Sequence, residues 1–156
     1  MICDTYASPL GQMRLCCDGH FLTAVIFSGQ KYEDKHIPKD VTLGSHPVLD
    51  ETKVWLTQYF QGNIPTVFPA MKPSGTPFQQ KVWALLLQIP YGKTVTYGEL
   101  AQQLGCKSAQ AVGSAVGRNP ISILIPCHRV VGADGTLTGY AGGVEKKEFL
   151  LNLEKA

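Results

Sequence analysis

The sequence has no long apolar run, few cysteines and little excess charge. No apolar run approaches the roughly 18 residues of a membrane-spanning helix, and the N-terminus lacks the basic and apolar segments of a signal peptide. We therefore expect no membrane contact and a cytoplasmic location. The five cysteines form neither a Cys-x-x-Cys nor a His-x-x-x-His pattern, so no metal site is expected. In a reducing compartment all of them should be free thiols: Cys3, Cys16, Cys17, Cys106 and Cys127.

The composition is that of an ordinary globular protein. Hydrophobic residues make up 44% of the chain and charged residues 17%, which argues against intrinsic disorder. A length of 156 residues predicts one domain or two small lobes, and we expect a monomer. Residues 1–72 carry six basic and seven acidic side chains, whereas residues 73–156 carry eight basic and five acidic ones. The positive second half is compatible with binding to a phosphate backbone.

The N-terminal third has the pattern of an antiparallel β-meander. A first short strand is expected before the turn residues that precede the second. Met13, Leu15 and Cys17 alternate with polar residues, which is typical of a half-buried strand. Asp18-Gly19 is a hairpin signal, and the apolar run 21–27 follows it.

The remainder of the first lobe predicts a loop, a helix and a linker in that order. Residues 30–46 are polar and predict a loop. Residues 47–60 place their apolar side chains on one helical face. Residues 62–76 are rich in proline and glycine, which is typical of a linker between lobes. We therefore divide the chain into an N-terminal α/β lobe, residues 1–72, and a second domain.

The second domain, residues 73–156, predicts a mostly helical lobe. Thr76-Pro77-Phe78-Gln79 is a capping box with proline at the first helical position, and Thr96-Tyr97-Gly98-Glu99 is a second capping box. Ser108 can cap the next helix, and a last helix is expected at about 144–154. Two short helices joined by a three-residue turn form a helix-turn-helix. The predicted fold class is α+β, with a small β-meander lobe and one helix followed by a winged-helix-like lobe.

The second helix of this helix-turn-helix contains two glycines, Gly113 and Gly117. Glycine inside a helix costs up to about 1 kcal/mol relative to alanine, so each position needs a reason. One reason is tight packing against a neighbouring helix. The other is close approach to a nucleic-acid backbone, which small side chains permit. Few arginines or lysines extend from this helix, so base reading in the major groove by arginine is not expected.

The most informative segment is the run from Ile121 to Val131. An apolar segment, expected to be a strand, delivers Cys127, His128 and Arg129 directly after Pro126. This order suggests a thiol nucleophile at the floor of a pocket, with a base beside it. The alternative is a buried, inert cysteine, because free cysteine is among the most buried residue types.

These motifs resemble those of the O6-alkylguanine-DNA alkyltransferases, the methylated-DNA–protein-cysteine methyltransferases. The resemblance covers essentially all of residues 76–154 and extends only in general layout to the first lobe. Its motifs are the two capping boxes, Ile89-Pro90-Tyr91-Gly92, Gly117-Arg118-Asn119-Pro120, Pro126-Cys127-His128-Arg129, Gly139-Tyr140-Ala141-Gly142-Gly143, Lys147-Glu148-Phe149-Leu150-Leu151 and Glu154.

The resemblance implies a DNA repair reaction in which the protein turns over once. The family's cysteine, here Cys127, attacks the alkyl carbon on guanine O6, and O4-alkylthymine is a further expected substrate. The alkyl group stays on the sulfur, and no cofactor is implied. His128 would take the thiol proton, through one water, and Glu154 would hold the imidazole. The Tyr140 hydroxyl would stabilise charge on the departing base.

The resemblance also implies a DNA-binding surface on double-stranded DNA that carries an alkylated guanine. The helix-turn-helix would enter the minor groove, and the target nucleotide would be flipped out of the stack. The substrate-binding residues would be Tyr97, Gln110, Asn119, Val130, Ala141 and Gly142. The DNA-binding residues would be Tyr97, Ser108, Ala109, Gln110, Gly113 and Arg118. For Arg129 we favour a pair with a carboxylate inside the lobe over direct contact with DNA.

Two positions depart from the family's pattern. Gln110 stands where the family usually has an arginine that fills the gap left by the flipped base, and glutamine lacks its charge and stacking plane. Ser122 stands where some relatives have proline, which would leave the pocket rim looser. Two other functions compete: a non-catalytic sensor of alkylated bases that recruits another repair pathway, and a cysteine hydrolase. The presence of Cys127 argues against the sensor, and a hydrolase would have no use for the helix-turn-helix.

Overall fold

The computed structural model of the protein describes residues 1–155. The chain divides into two compact units, Met1–Ser74 and a second unit that begins at Gly75. Both units mix strands with helices, as the predicted α+β class requires. No helix among the described residues has the length and apolar character needed to cross a bilayer.

The first unit is built on four strands: β1 (Ile2–Ser8), β2 (Gly11–Cys17), β3 (Leu22–Phe27) and β4 (Thr42–Leu43). They form one sheet in the order β3-β2-β1-β4. The first three pair antiparallel, which confirms the predicted meander. The short β4 pairs parallel with β1, and a helix of one turn, α1 (Glu33–His36), precedes it. Both lie in residues 30–46, where the sequence predicted only a loop.

A disulfide joins Cys3 to Cys16, so the expectation of five free thiols is wrong for these two residues. Cys3 and Cys16 are direct register partners on β1 and β2, and their Cα atoms lie 4.1 Å apart. Strand pairing therefore brings together two sulfurs that are far apart in sequence, and spacing alone does not reveal it. The other three cysteines are free thiols: Cys17, Cys106 and Cys127.

A long helix, α2 (Pro47–Phe60), packs against β1 and β2. It starts where the sequence predicted, with proline at its first position. The ring Nδ1 of His46 accepts a hydrogen bond from the Val48 amide at 3.1 Å and caps the helix. Four residues of the predicted apolar face are buried, together with Thr52: Leu49, Trp55, Leu56 and Tyr59.

The second unit holds four α-helices among its described residues: α3 (Pro77–Leu86), α4 (Tyr97–Leu104), α5 (Ala109–Gly117) and α6 (Val144–Lys155). Two short strands, β5 (Val95–Thr96) and β6 (Val130–Val131), pair in parallel. Because β5 leads directly into α4 and β6 follows directly after Arg129, this small sheet fixes the start of α4 beside the cysteine segment.

The helix starts follow the predicted capping chemistry. At α3, Thr76 and Gln79 form the complete capping box. At α4, the Thr96 hydroxyl accepts from the Glu99 amide at 3.1 Å, but the Glu99 carboxylate accepts from the Thr96 hydroxyl at 3.3 Å. The second box therefore forms only its first half. At α5, the Ser108 hydroxyl accepts from the Ala111 amide at 3.0 Å, as predicted.

Candidate active site around Cys127

The apolar run before Cys127 forms turns, so the expectation of a strand is wrong. The cause is the side chain of Asn119. Its amide nitrogen donates to the carbonyls of Ile121 at 3.1 Å and Ile125 at 2.8 Å, and its oxygen accepts from the Ile121 amide at 3.0 Å. These bonds occupy backbone groups that a strand would pair with a neighbour. Ile123 lies between them with φ 71°, a left-handed conformation that is costly for a β-branched residue.

One turn of 3₁₀ helix, Cys127–Arg129, presents the reactive side chains. Cys127 is 7% exposed, His128 is 0% exposed and Arg129 is 9% exposed. In a strand, Cys127 and His128 would point to opposite faces. The 3₁₀ turn removes that alternation, and both side chains are buried in the second unit.

The carboxylate of Glu154, on the last turn of α6, is the partner of the histidine. His128 Nε2 lies 2.6 Å from Glu154 Oε2, and both side chains are almost fully buried. Because a carboxylate only accepts, this contact assigns the ring proton of the neutral imidazole to Nε2. The other ring nitrogen, Nδ1, is then the one that can take a further proton. The structure therefore places Glu154 beside His128, the residue predicted to act as the general base.

Arg129 pairs with the same carboxylate, as we favoured from the sequence. Its Nε donates to Glu154 Oε1 at 2.8 Å and its Nη2 donates to Oε2 at 3.2 Å. Its Nη1 donates to the carbonyl of Ile89 at 2.7 Å. The amide of Gly92 also donates to Glu154 Oε1 at 3.1 Å. A buried negative charge is thus held by a guanidinium and a backbone amide, which fixes its position behind His128.

Gly92 was expected only in a turn, with no contact to Glu154. Its φ is +80°, and a Cβ at this position would lie 3.2 Å from the Glu154 carbonyl oxygen. A side chain would therefore strain the turn and crowd the end of α6. The Pro-Tyr-Gly motif carried the available signal, because it predicts a tight turn that only glycine adopts readily.

Burial sets the ionisation of the thiol and the imidazole. It raises the pKa of Cys127 above its ordinary value, while a hydrogen bond with Asn119 and the positive charge of Lys147 oppose the rise. It lowers the pKa of His128 below its ordinary value, while the hydrogen bond with Glu154 opposes the fall. Both shifts favour the uncharged forms, so the resting pair is a thiol and a neutral imidazole.

The thiol lies against a small, partly open cavity of about 10 Å³, close to the volume that one water molecule requires. The residues that line it are Val116, Gly117, Asn119, Ser122, Cys127, Gly139, Tyr140 and Ala141. The structure therefore brings four of the predicted site residues to one cavity: Cys127, Asn119, Tyr140 and Ala141. Gly139, Tyr140 and Ala141 contribute one continuous segment of this lining.

Tyr140 is buried in the cavity wall, at 9% exposed. Burial and the proximity of Cys127 raise the pKa of its hydroxyl well above 10, and a hydrogen bond with Ser122 opposes the rise. The phenol therefore remains protonated and able to donate. Ser122 is itself 3% exposed, so the residue that departs from the family's pattern is a cavity residue in contact with Tyr140.

The helix-turn-helix is present as α4, the turn that starts at Gly105, and α5. Ser108, Ala109 and Gln110 are exposed at the start of α5, and Arg118 is partly exposed at its end. A Cβ on Gly113 would lie at an ordinary van der Waals distance, 3.6 Å, from the ring of Tyr97, and a Cβ on Gly117 would meet nothing within 4 Å. Tight packing inside the protein therefore does not explain either glycine.

Two further predicted residues lie beside the site without lining the cavity. Val130 is fully buried and is the first residue of β6, where it pairs with Val95. Gly142 is partly exposed in the turn before α6. Among residues 1–155, no cluster of three or more His, Cys, Asp or Glu side chains could hold a metal ion.

Lys147 was expected only as part of the motif 147–151, with no role in the site. Its side chain is 1% exposed, and its Nζ donates to the carbonyl of Thr138 at 2.8 Å. The signal was helical spacing, because Lys147 shares the buried face of α6 with Leu150, Leu151 and Glu154. A lysine at such a position is rarely buried without a specific partner.

Both parts of the chain match known family descriptions. Residues 77–156 match the 6-O-methylguanine DNA methyltransferase, DNA binding domain. Residues 1–69 match the 6-O-methylguanine DNA methyltransferase, ribonuclease-like domain. Together these matches span almost the whole chain.

Individual relatives agree with this assignment. A methylated-DNA–protein-cysteine methyltransferase of Haemophilus influenzae is 45% identical over 96% of this chain and 84% of its own. A protein of the same name from Methanosarcina acetivorans is 44% identical over 96% of this chain and 95% of its own. The crystal structure of Mycobacterium tuberculosis OGT in complex with DNA aligns with a TM-score of 0.90 and 41% identity, over 99% of this chain and 93% of that one. This chain belongs to the 6-O-methylguanine DNA methyltransferase family.

Proposed function

We propose that this protein repairs O6-alkylguanine, and also O4-alkylthymine, in duplex DNA by moving the alkyl group onto its own Cys127. The observation that carries the proposal is a thiol that lines a cavity and is followed, in the same 3₁₀ turn, by a histidine paired with the buried Glu154. The names of the relatives, methylated-DNA–protein-cysteine methyltransferases, support the same reaction.

The transfer is a displacement at carbon. The Cys127 sulfur attacks the alkyl carbon, so an S–C bond forms while the C–O6 bond breaks, and the electron pair of the broken bond stays on guanine. The thiol proton passes to His128. Because Nε2 is held by Glu154, we assign Nδ1 as the acceptor, through one water. The guanine then takes up one proton, no group is oxidised or reduced, and the thioether that remains on the protein ends its use.

Two further groups stabilise the charges that develop. Glu154 stabilises the imidazolium that forms when His128 accepts the proton. The Tyr140 hydroxyl, which its raised pKa keeps protonated, donates a hydrogen bond to the departing base as negative charge grows on it. The backbone of Val130, Ala141 and Gly142 would contact the edge of the same base.

Residues 73–156 would form the DNA-binding and alkyl-acceptor domain, and residues 1–72 an N-terminal lobe. The small side chains of α5 suit the narrow minor groove. Ser108, Ala109, Gly113 and Arg118 would approach the sugar-phosphate backbone. Gln110 would fill the gap left by the flipped base, and Tyr97 would press on the target phosphate. We propose that the protein acts as a monomer in the cytoplasm.

The experiment that tests this function measures intact mass after mixing the protein with duplex DNA that contains O6-methylguanine. We expect a stoichiometric gain of one methyl group, absent in Cys127→Ala and retained in Cys106→Ala, which removes another free and partly exposed thiol. DNA binding with no mass change would instead indicate a sensor of alkylated bases. Repeated release of product by unmodified protein would indicate a hydrolase.

A further inference from the structure

We propose that Lys147 is a positioning residue for the alkyl transfer, because its ammonium and the Tyr97 hydroxyl together hold the Thr138 carbonyl from two helices. This inference rests on the proposed function of Cys127. Lys147 Nζ donates to that carbonyl at 2.8 Å from α6, and Tyr97 Oη donates to it at 3.2 Å from α4. One backbone oxygen therefore joins two helices to the segment that leads into the cavity wall.

The anchored carbonyl lies directly before the part of the cavity lining formed by Gly139, Tyr140 and Ala141. Gly139 follows Thr138 with φ 64°, and Gly143 has φ 104°, so a backbone conformation that glycine adopts readily lies at both ends of this segment. A fixed Thr138 carbonyl therefore positions the Tyr140 hydroxyl, two residues further along the chain, against the base that occupies the cavity.

Lys147 is suited to this task because it is buried beside the carbonyl. It is 1% exposed, so it does not reach a DNA phosphate. Its Nζ lies 5.8 Å from the centre of the Tyr97 ring, a cation–π contact between the two side chains that share the carbonyl. A buried ammonium that donates to the Thr138 carbonyl at 2.8 Å is held tightly by that acceptor.

The ammonium also acts on the sulfur. Its positive charge opposes the rise in the pKa of Cys127 that burial causes. Among residues 1–155, the other titratable side chains that interact with the charge of the thiol are Tyr97 from α4 and Tyr140 from the cavity wall. Both are neutral phenols in the resting state, so the positive charge that favours the thiolate is that of Lys147.

The test uses free O6-benzylguanine as substrate, because a free base has no phosphate and so removes any contribution of Tyr97 to DNA binding. The variants are Lys147→Met, Tyr97→Phe and the double variant, with Lys155→Met as the matched control, since Lys155 is an exposed lysine of α6. We expect each single variant to slow alkylation of Cys127 about tenfold. The double variant should be slower than either one but faster than the product of the two effects, because both donors act through one carbonyl.

Two further readouts separate positioning from general stability. Lys147→Met should move the pH profile of iodoacetamide alkylation of Cys127 to higher pH, whereas Tyr97→Phe should not. The affinity of Lys147→Met for unmodified duplex DNA should equal that of the protein without substitutions. Equal rates for Tyr97→Phe and the unchanged protein, or multiplied effects in the double variant, would overturn the inference. Should Lys147→Met fail to fold, the Tyr97→Phe rate still decides, whereas an unchanged protein that acquires no alkyl group would overturn the proposed function itself.

Discussion

Replacing Glu154 by glutamine tests whether a buried carboxylate controls both the base and the fold of the second unit. The substitution keeps the size of the side chain but turns one oxygen into an NH₂ group. In the structure both oxygens accept from N–H groups of His128, Arg129 and Gly92. The new NH₂ therefore faces donors, and the Arg129 guanidinium loses its buried counter-charge.

The size of the effect follows from these contacts. Removing one partner of a buried ion pair costs about 3–5 kcal/mol, within a typical domain stability of about 5–15 kcal/mol. The variant should stay folded at low temperature, with a midpoint of thermal unfolding lower by at least about 10 °C. General-base catalysis contributes about 10²–10⁴ in rate, and a histidine without its carboxylate is a weaker and less oriented base. We expect transfer to slow by about two orders of magnitude.

The assay is single-turnover transfer from duplex DNA with O6-methylguanine, followed by intact mass well below the unfolding midpoint of each variant. Glu148→Gln is the matched control, because it makes the same change at an exposed position of the same helix. A Glu154→Gln protein that transfers as fast as Glu148→Gln would refute the role of the carboxylate. A lower midpoint with an unchanged rate would assign Glu154 to stability alone.

Three other predictions concern pH, the recognition helix and the disulfide. Because burial lowers the pKa of His128 below 6.5, transfer should decline only below pH 6.5. The second unit should also lose stability there, since the unfolded chain binds a proton that the buried ring does not. A rate that declines already above this pH would contradict the assignment. Gln110→Arg should tighten binding to duplex DNA about threefold to tenfold at low salt, whereas Gln58→Arg on α2 should not; equal gains would indicate a general charge effect. Reducing the bond between Cys3 and Cys16 should destabilise the first unit by up to about 3 kcal/mol in urea unfolding without slowing transfer, and identical curves with and without reductant would show that the bond does not contribute.

The sequence predicted best those features that depend on neighbours along the chain. Capping chemistry, which acts within three residues, predicted Thr76 as the N-cap of α3 and Ser108 as the N-cap of α5. For Arg129, a pair with a carboxylate inside the lobe was favoured over contact with DNA, and the structure shows that pair. The cysteine segment was recognised from its order of residues, and this order does not depend on whether the backbone is a strand or a turn.

The features that the sequence did not predict depend on contacts between distant residues. Strand pairing made Cys3 and Cys16 partners, and no spacing rule contains the register of two strands. The composition of the run before Cys127 predicted a strand. In the structure the side chain of Asn119 forms hydrogen bonds with backbone groups of Ile121 and Ile125 that a neighbouring strand would otherwise pair. Lys147 occupies an apolar face of α6, and only the position of the Thr138 carbonyl explains why a charge is tolerated there.

The small cavity beside Cys127 also affects how long the thiol stays unmodified before the protein encounters an alkylated base. Under the proposed chemistry each molecule works once, so a sulfur lost to a peroxide or to a small free alkylating agent is a lost repair event. A protonated thiol at 7% exposure, beside a cavity with room for about one water, reacts slowly with such reagents near neutral pH, because the thiolate is the form that they attack. The residues around the cavity thus protect the thiol before the reaction as well as contacting the base during it.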